Sequence, residues 1–256
     1  MSAPRILLVC TGNICRSPLA EQLLRARCDA LGLLVEVHSA GTRAMVASPM
    51  TAEAAALSLK HGAHDTEHAA RQVTEQLVGE ADLILTATRD HRREVVTLLP
   101  KATRYTFTLN QFARLVSAVE SPSDPPSSSI PGPGPETGPS LEPGPGSPTW
   151  VRRADVPTSA ATAESPLPVV SQQDRQPFEA APQPASATQP AASAFSAFVA
   201  SIAATRGLHP SPTPATLDDI DDPFRQSVVV YTRVAAIIDD SVTTIAAALA
   251  PALRQS

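Results

Sequence analysis

Cys10 and Arg16 stand six residues apart, bracketing Thr11-Gly12-Asn13-Ile14-Cys15 and followed by Ser17-Pro18. A thiol attacks phosphorus only as the thiolate, and a helix N-terminus beside a cation favours that form. A guanidinium can grip two phosphoryl oxygens at once, a geometry that an ammonium does not reproduce. Backbone N–H groups from Thr11 to Ser17 would line an anion cradle with a helix dipole behind it. Gly12 is expected to let that backbone turn without a Cβ clash. The Ser17 hydroxyl could bond the sulfur and ease its departure. The chemistry is therefore nucleophilic attack on a phosphate ester: Cys10 attacks, Arg16 clamps, and Thr11, Gly12, Asn13, Ile14, Cys15 and Ser17 hold the phosphoryl group.

Such a route also needs an acid for the leaving oxygen, and no candidate stands near the loop. The best one is distant: Asp218-Asp219-Ile220-Asp221-Asp222-Pro223-Phe224. Carboxylates crowded at a turn retain protons that an isolated one gives up, as an acid working near neutrality must. The same run also reads as the acidic start of a helix.

The elements that must position these groups follow from periodicity. Arg5 to Cys10 is an aliphatic run without alternation, as in a strand buried on both faces. Ser17 is expected as the N-cap of a helix carrying Leu19, Leu23, Ala26 and Ala30 on one face, with Gly32 as its stop. Further strands are expected over Leu33 to Ser39, Leu83 to Thr88 and Ala102 to Leu109. Helices are expected over Pro49 to Lys60, Val73 to Gly79, Arg92 to Leu99 and Asn110 to Val119. A helix over Ala194 to Thr205 would pack back on the core through Phe195, Phe198, Val199 and Ile202. A last helix, from Phe224 to Leu249, presents Val228, Tyr231, Val234, Ile238, Val242, Ile245 and Leu249 on one face. Strands alternating with helices imply an α/β fold with a parallel sheet between helical layers. Ligands of such sheets bind at the carboxyl ends of the strands, where Cys10 to Ser17 lies.

Of 26 prolines, 17 fall between Pro122 and Pro190. Residues 120–192 therefore read as a disordered insertion rich in Pro, Ser and Ala, with Pro122-x-x-Pro125 as a minimal PxxP match. It separates residues 1–119 from 193–256, which together form a single doubly wound domain. A net charge of −5 without a Lys/Arg cluster argues against nucleic acid as the partner. The opening apolar stretch, Ile6 to Cys10, is too short for a signal core or a membrane span, and 228–253 is interrupted by Arg233, Asp239 and Asp240. With three cysteines, a reduced, cytoplasmic thiol protein is expected. Cys28, near Leu24 and Leu31, reads as a small core residue.

The loop CTGNICRSP, together with Ser39-Ala40-Gly41-Thr42, His68-Ala69-Ala70-Arg71-Gln72 and Asp222-Pro223-Phe224, resembles the low-molecular-weight protein-tyrosine phosphatases. The resemblance covers Arg5 to about Val119 and Leu217 to Leu249. It implies a four-stranded parallel sheet and a two-step hydrolysis without metal or other cofactor. Cys10 would be the nucleophile, Arg16 the clamp, and Asp222 the general acid and later the base that activates water. Asn13, Ser17, Ser39 and His68 match the network that holds the loop. Cys15 matches a second cysteine able to form a protective disulfide with Cys10, and it also reads as packing in the loop wall. Met45 stands where many relatives carry a pocket-wall aromatic. Phe224 either lines the slot for the substrate ring or anchors the last helix. The implied partner is a phosphotyrosine protein, with bacterial tyrosine kinases as the family's expectation.

Two other activities share this loop. Arsenate reductases of the fold pass a disulfide to cysteines after the third strand; Gly79 to Pro100 contain none, which disfavours that cascade and leaves open a version served by a small-thiol cofactor. Protein-arginine phosphatases carry a small polar residue before the second loop cysteine, where Ile14 stands here. A binding module that merely holds a phosphoprotein would not need Cys10, Arg16 and Asp222 together. About 100 residues intervene before the Asp-Pro turn, but closing a tenfold longer loop costs only about 2 kcal/mol.

Overall fold

Five of the six residues of Arg5–Cys10 are buried, and this strand, β1, is the axis of the sheet. The computed structural model describes residues 3–63, 67–120 and 194–254. After β1 come α1 (Arg16–Ala30), β2 (Glu36–Gly41), α2 (Ala52–Lys60), α3 (Glu75–Glu80), β3 (Leu83–Thr86) and α4 (Arg89–Leu98). Then follow β4 (Thr106–Thr108), α5 (Leu109–Glu120), α6 (Ala194–Ala204) and α7 (Val228–Arg254). The strands form one sheet in the order β2-β1-β3-β4, every pair parallel. The chain leaves β1 to one side for β2 and returns to the other for β3. The crevice beside the carboxyl end of β1 is thus the topological switch point, and Cys10 is its last residue.

Alternate side chains of the strands feed two cores. Leu7, Val9 and Ile84 pack against Val73, Val78, Val95 and Ala102 on one face. Ile6, Leu8, Leu85 and Phe107 pack against Leu23, Phe112, Ile238 and Ile245 on the other. The expected apolar face of α7 is buried from Tyr231 to Leu249, while Val228 is exposed. That helix is long and apolar enough to cross a bilayer by length and composition, yet this stripe is spent on the core. Phe195, Val199 and Ile202 of α6 are buried as anticipated, and the Phe112 and Phe198 rings meet edge to face at 6.5 Å.

Several boundaries differ from expectation, each for a local reason. α1 begins at Arg16 with Cys15 as N-cap and no side-chain cap; Ser17 does not cap it because its hydroxyl is engaged at Cys10. β2 starts at Glu36 and continues through Ala40 and Gly41, which pair with Val9 and Cys10. α4 starts three residues early because Thr88 caps it, its side chain accepting from the His91 N–H. The weak last strand is three residues long, preceded by a 3₁₀ turn over Pro100–Arg104. α7 starts at Val228 rather than Phe224, since Pro223 and a left-handed Arg225 (φ 61°) keep the preceding turn out of the helix. The expected insertion lies outside the described residues except for Glu120, the last residue of α5; Pro122-x-x-Pro125 lies outside them too.

Candidate active site

The turn from β1 to α1 is built with its carbonyls facing outward. The Cys10, Thr11 and Gly12 carbonyls accept from the backbone N–H groups of Thr42, Arg43 and Met45 at 2.9, 3.0 and 2.9 Å. The Asn13 carbonyl accepts from His68 Nε2 at 2.6 Å, and that of Ile14 from the Thr51 N–H at 2.9 Å. Across a trans peptide the N–H points opposite to the carbonyl. The N–H groups that follow therefore turn to the inner face, making the anion cradle.

The left-handed residue of this turn is Asn13, with φ 56°, a conformation that asparagine tolerates better than most residues. The steric demand for glycine falls elsewhere than expected. A Cβ at Gly12 would meet nothing closer than 3.4 Å, whereas one at Gly41 would stand 2.4 Å from the Thr11 carbonyl oxygen. Gly41 is what lets β2 press against the loop.

A directional chain of hydrogen bonds runs beneath the cradle. Glu21 can only accept from the Ser39 hydroxyl, so Ser39 Oγ accepts from Asn13 Nδ2 at 2.8 Å. The same amide donates to Ser17 Oγ at 2.9 Å. Ser17 keeps its own proton for Cys10 Sγ, 3.0 Å away, or for the Ala40 carbonyl at 3.4 Å. A carboxylate on α1 thereby orients a hydroxyl donor toward the thiol. Arg71 closes the structure from outside, its N–H donating to Asn13 Oδ1 at 2.9 Å and its Nε to the Ser39 carbonyl at 2.8 Å.

Arg16 is 5% exposed, and its guanidinium is fixed from several sides. Nη1 donates to the Ile220 carbonyl at 3.1 Å, and Nη2 donates to Thr11 Oγ1 at 3.3 Å and meets Asp222 Oδ2 at 2.9 Å. Nε is buried and has no hydrogen-bond partner among the described residues. The acidic run is thus brought to the cradle. Its four carboxylates do not crowd one another as the sequence suggested: Asp218 pairs with Arg114, Asp219 with Arg89, Asp221 with Arg233, and Asp222 with Arg16. The Arg89 and Arg114 pairs, with the Ile220 N–H on the Ala87 carbonyl at 2.8 Å, dock the returning chain past the end of β3, on the start of α4 and the middle of α5.

A cleft of about 170 Å³ opens over the cradle, lined by Cys10, Gly12, Ile14, Arg43, Met45, Asp222 and Phe224. Met45 and Phe224 therefore both wall it. Cys10, Cys15 and Cys28 are all free thiols. Cys15 Sγ stands 3.5 Å from both Thr51 Oγ1 and Tyr231 Oη, and burial pushes its thiol pKa up. Cys28 is fully buried, as expected of a core residue, with its pKa pushed up to about 12 by desolvation.

His91 was not anticipated. Its ring is 5% exposed, with Nε2 at 2.8 Å from Thr11 Oγ1 and Nδ1 at 2.7 Å from Thr88 Oγ1. Burial, and next the Arg16 charge, hold its pKa down at about 4, so the ring is neutral at pH 7. The rule that located Cys10 would have flagged it, since TATRDH follows β3 at the same end of the sheet.

The family described as low molecular weight phosphotyrosine protein phosphatase matches residues 5–130. The low molecular weight protein-tyrosine-phosphatase Etp of Escherichia coli K12 is 39% identical over 107 residues, which are 42% of this chain and 70% of that protein. A protein-arginine-phosphatase of Bacillus subtilis is 38% identical over 108 residues, 42% of this chain and 71% of that one. Among solved structures, a YwlE mutant from Bacillus subtilis superposes with a TM-score of 0.54 at 18% identity, covering 96% of this chain and 99% of its own. That last likeness concerns the fold, which is the four-stranded parallel sheet found here. Sequence and architecture agree: the chain belongs to the low-molecular-weight protein-tyrosine phosphatase family and is a phosphatase.

Proposed function

We propose that the chain hydrolyses phosphotyrosine in proteins through a phosphocysteine intermediate. The observation that carries this reading is the convergence of Cys10, Arg16 and Asp222 on one cleft. In the first step Cys10 Sγ attacks phosphorus, the bond from phosphorus to the phenolic oxygen breaks, and Asp222 gives that oxygen its proton. In the second, Asp222 takes a proton from water as the water oxygen attacks phosphorus. The P–S bond breaks and the thiolate leaves with the Ser17 hydroxyl donating to it. Inorganic phosphate is released.

Arg16 supports the reading through its unpartnered Nε. On a guanidinium, Nε–H and one Nη2–H point the same way and form a fork for two oxygens. A substrate oxygen would accept a hydrogen bond from Nε–H while another displaces Asp222 from Nη2, freeing the acid as the phosphoryl group arrives. Ile14, Met45 and Phe224 give the cleft apolar walls suited to an aryl ring. The three free thiols fit a reducing, cytoplasmic setting.

The likeness to a protein-arginine-phosphatase favours one second reading, hydrolysis of phosphoarginine. Ile14, in place of a small polar residue, speaks for the phenolic leaving group. A parallel assay of purified protein on phosphotyrosine peptide, phosphoarginine and arsenate with a small thiol separates these activities. Vanadate-sensitive, chelator-resistant turnover of phosphotyrosine is expected, abolished in Cys10→Ser. Turnover that survives Cys10→Ser would overturn the mechanism, and preference for phosphoarginine or arsenate would overturn the substrate.

A further inference from the structure

Arg16 must present its fork to a small anion, and a flexible four-bond side chain does this only if its other donors are committed. On the Nη1 side the Ile220 carbonyl serves this purpose. On the Nη2 side the permanent partner is Thr11 Oγ1, because Asp222 has to leave when substrate binds. A threonine hydroxyl rotates freely unless something fixes it. What fixes it is His91 Nε2 at 2.8 Å, and His91 is itself pinned by Thr88 Oγ1 at the cap of α4.

The geometry points to His91 as a positioning residue for the phosphate clamp: through the Thr11 hydroxyl it holds Arg16 in register with the cradle. It is not among the residues that line the cleft. The inference rests on the proposed phosphatase reading and extends it from the loop to β3 and α4. A neutral imidazole suits the task, since it can exchange one hydrogen bond with each threonine. A charged ring would be a donor at both nitrogens and would stand beside the Arg16 cation. No acidic side chain is hydrogen-bonded to the ring; both nitrogens face hydroxyls.

The test is a double-mutant cycle with His91→Phe and Thr11→Val, read on kcat/KM for phenyl phosphate and on competitive inhibition by inorganic phosphate. Each single variant should weaken phosphate inhibition and lower kcat/KM by about tenfold, the loss expected for one hydrogen bond to a charged group. The double variant should lose little more than either single one, because the two residues act in series. His91→Gln, whose amide nitrogen can reach the place of Nε2, should recover most of the loss. Additive losses, or phosphate inhibition unchanged in His91→Phe, would overturn the inference. Should His91→Phe fail to fold, His91→Leu and Thr11→Val carry the same cycle. An inactive wild-type protein would instead overturn the phosphatase reading, so the two failures are distinguishable.

Discussion

The loop proposed to hold phosphate and the turn proposed to carry the acid meet at one ion pair but are built in opposite ways. Between Cys10 and Ser17 the side chains of Asn13, Arg16 and Ser17 are almost wholly buried, and the carbonyls from Cys10 to Ile14 each have an external partner. Asp221 and Asp222, by contrast, are exposed: the Asp222 side chain is 52% accessible, held by Arg16 and by the Phe224 N–H at 3.2 Å. Ile220 and Pro223 are buried on either side, so the carboxylate rides on a short exposed stretch between two anchored residues. The difference teaches a division of labour. An anion cradle stabilises charge only if its dipoles are fixed beforehand. In the proposed mechanism Asp222 must leave Arg16, approach the leaving oxygen and later meet water, which a buried and fully bonded carboxylate could not do.

Substitutions can break that contrast. Asp222→Ala should lower kcat on phenyl phosphate by about 10² while leaving the melting temperature near that of wild type; a large loss of stability would show that the acid turn is structural after all. Asn13→Ala should do the reverse in kind, costing about 2 kcal/mol in denaturant unfolding, since it leaves buried donors and acceptors unmatched and puts Ala at positive φ. An unchanged midpoint would dissolve the claim of a prebuilt cradle.

His91 sharpens the comparison through pH. Its folded pKa, near 4, lies below the ordinary value of 6.5, so the unfolded chain binds the extra proton first. Stability from this group is present in full above about pH 6.5 and is lost as pH falls toward 4, by at most about 1.4 kcal/mol per pH unit. Glu94 and Asp222 oppose that shift, while Arg16 and Arg43 enforce it. Unfolding followed across this window should be flatter in His91→Gln; identical slopes would mean the ring is not held neutral. The smallest effect is expected at Arg225, left-handed at the exposed turn. Arg225→Gly removes a backbone penalty of about 1–2 kcal/mol but raises unfolded-chain entropy, for a net gain of about 0.5 kcal/mol. A loss instead would give its guanidinium, 5.2 Å above the Phe224 ring, a larger structural share.

The legibility of this chain follows sequence distance. Cys10 to Ser17 could be read because its chemistry is contiguous and sits after a strand whose apolar run is unambiguous. The sheet and both helical layers could be read for the same reason: each element advertises its own period. The acid turn was found as a motif, but its docking was not, since the pairs that anchor it join Arg89 to Asp219 and Arg114 to Asp218, 130 and 104 residues apart. The place of His91 at the end of β3 was legible, but its partner was not, since that partner is Thr11, 80 residues earlier. Helix starts were misread where a side chain expected to cap had other work, as with Ser17, or where an unsuspected cap, Thr88, was available.

The bond from Arg16 Nη1 to the Ile220 carbonyl spans 204 residues, and that separation imposes an order in time. A ribosome adding about 5–20 residues per second needs roughly 10–40 s between the two ends of that bond. Throughout that interval the nascent chain carries Cys10 and Arg16 but neither the Ile220 carbonyl that steadies Arg16 nor Asp222. On the proposed mechanism, competence to turn over substrate is therefore acquired last, with the segment 194–254, and a chain stopped at α5 would carry the proposed nucleophile without its acid.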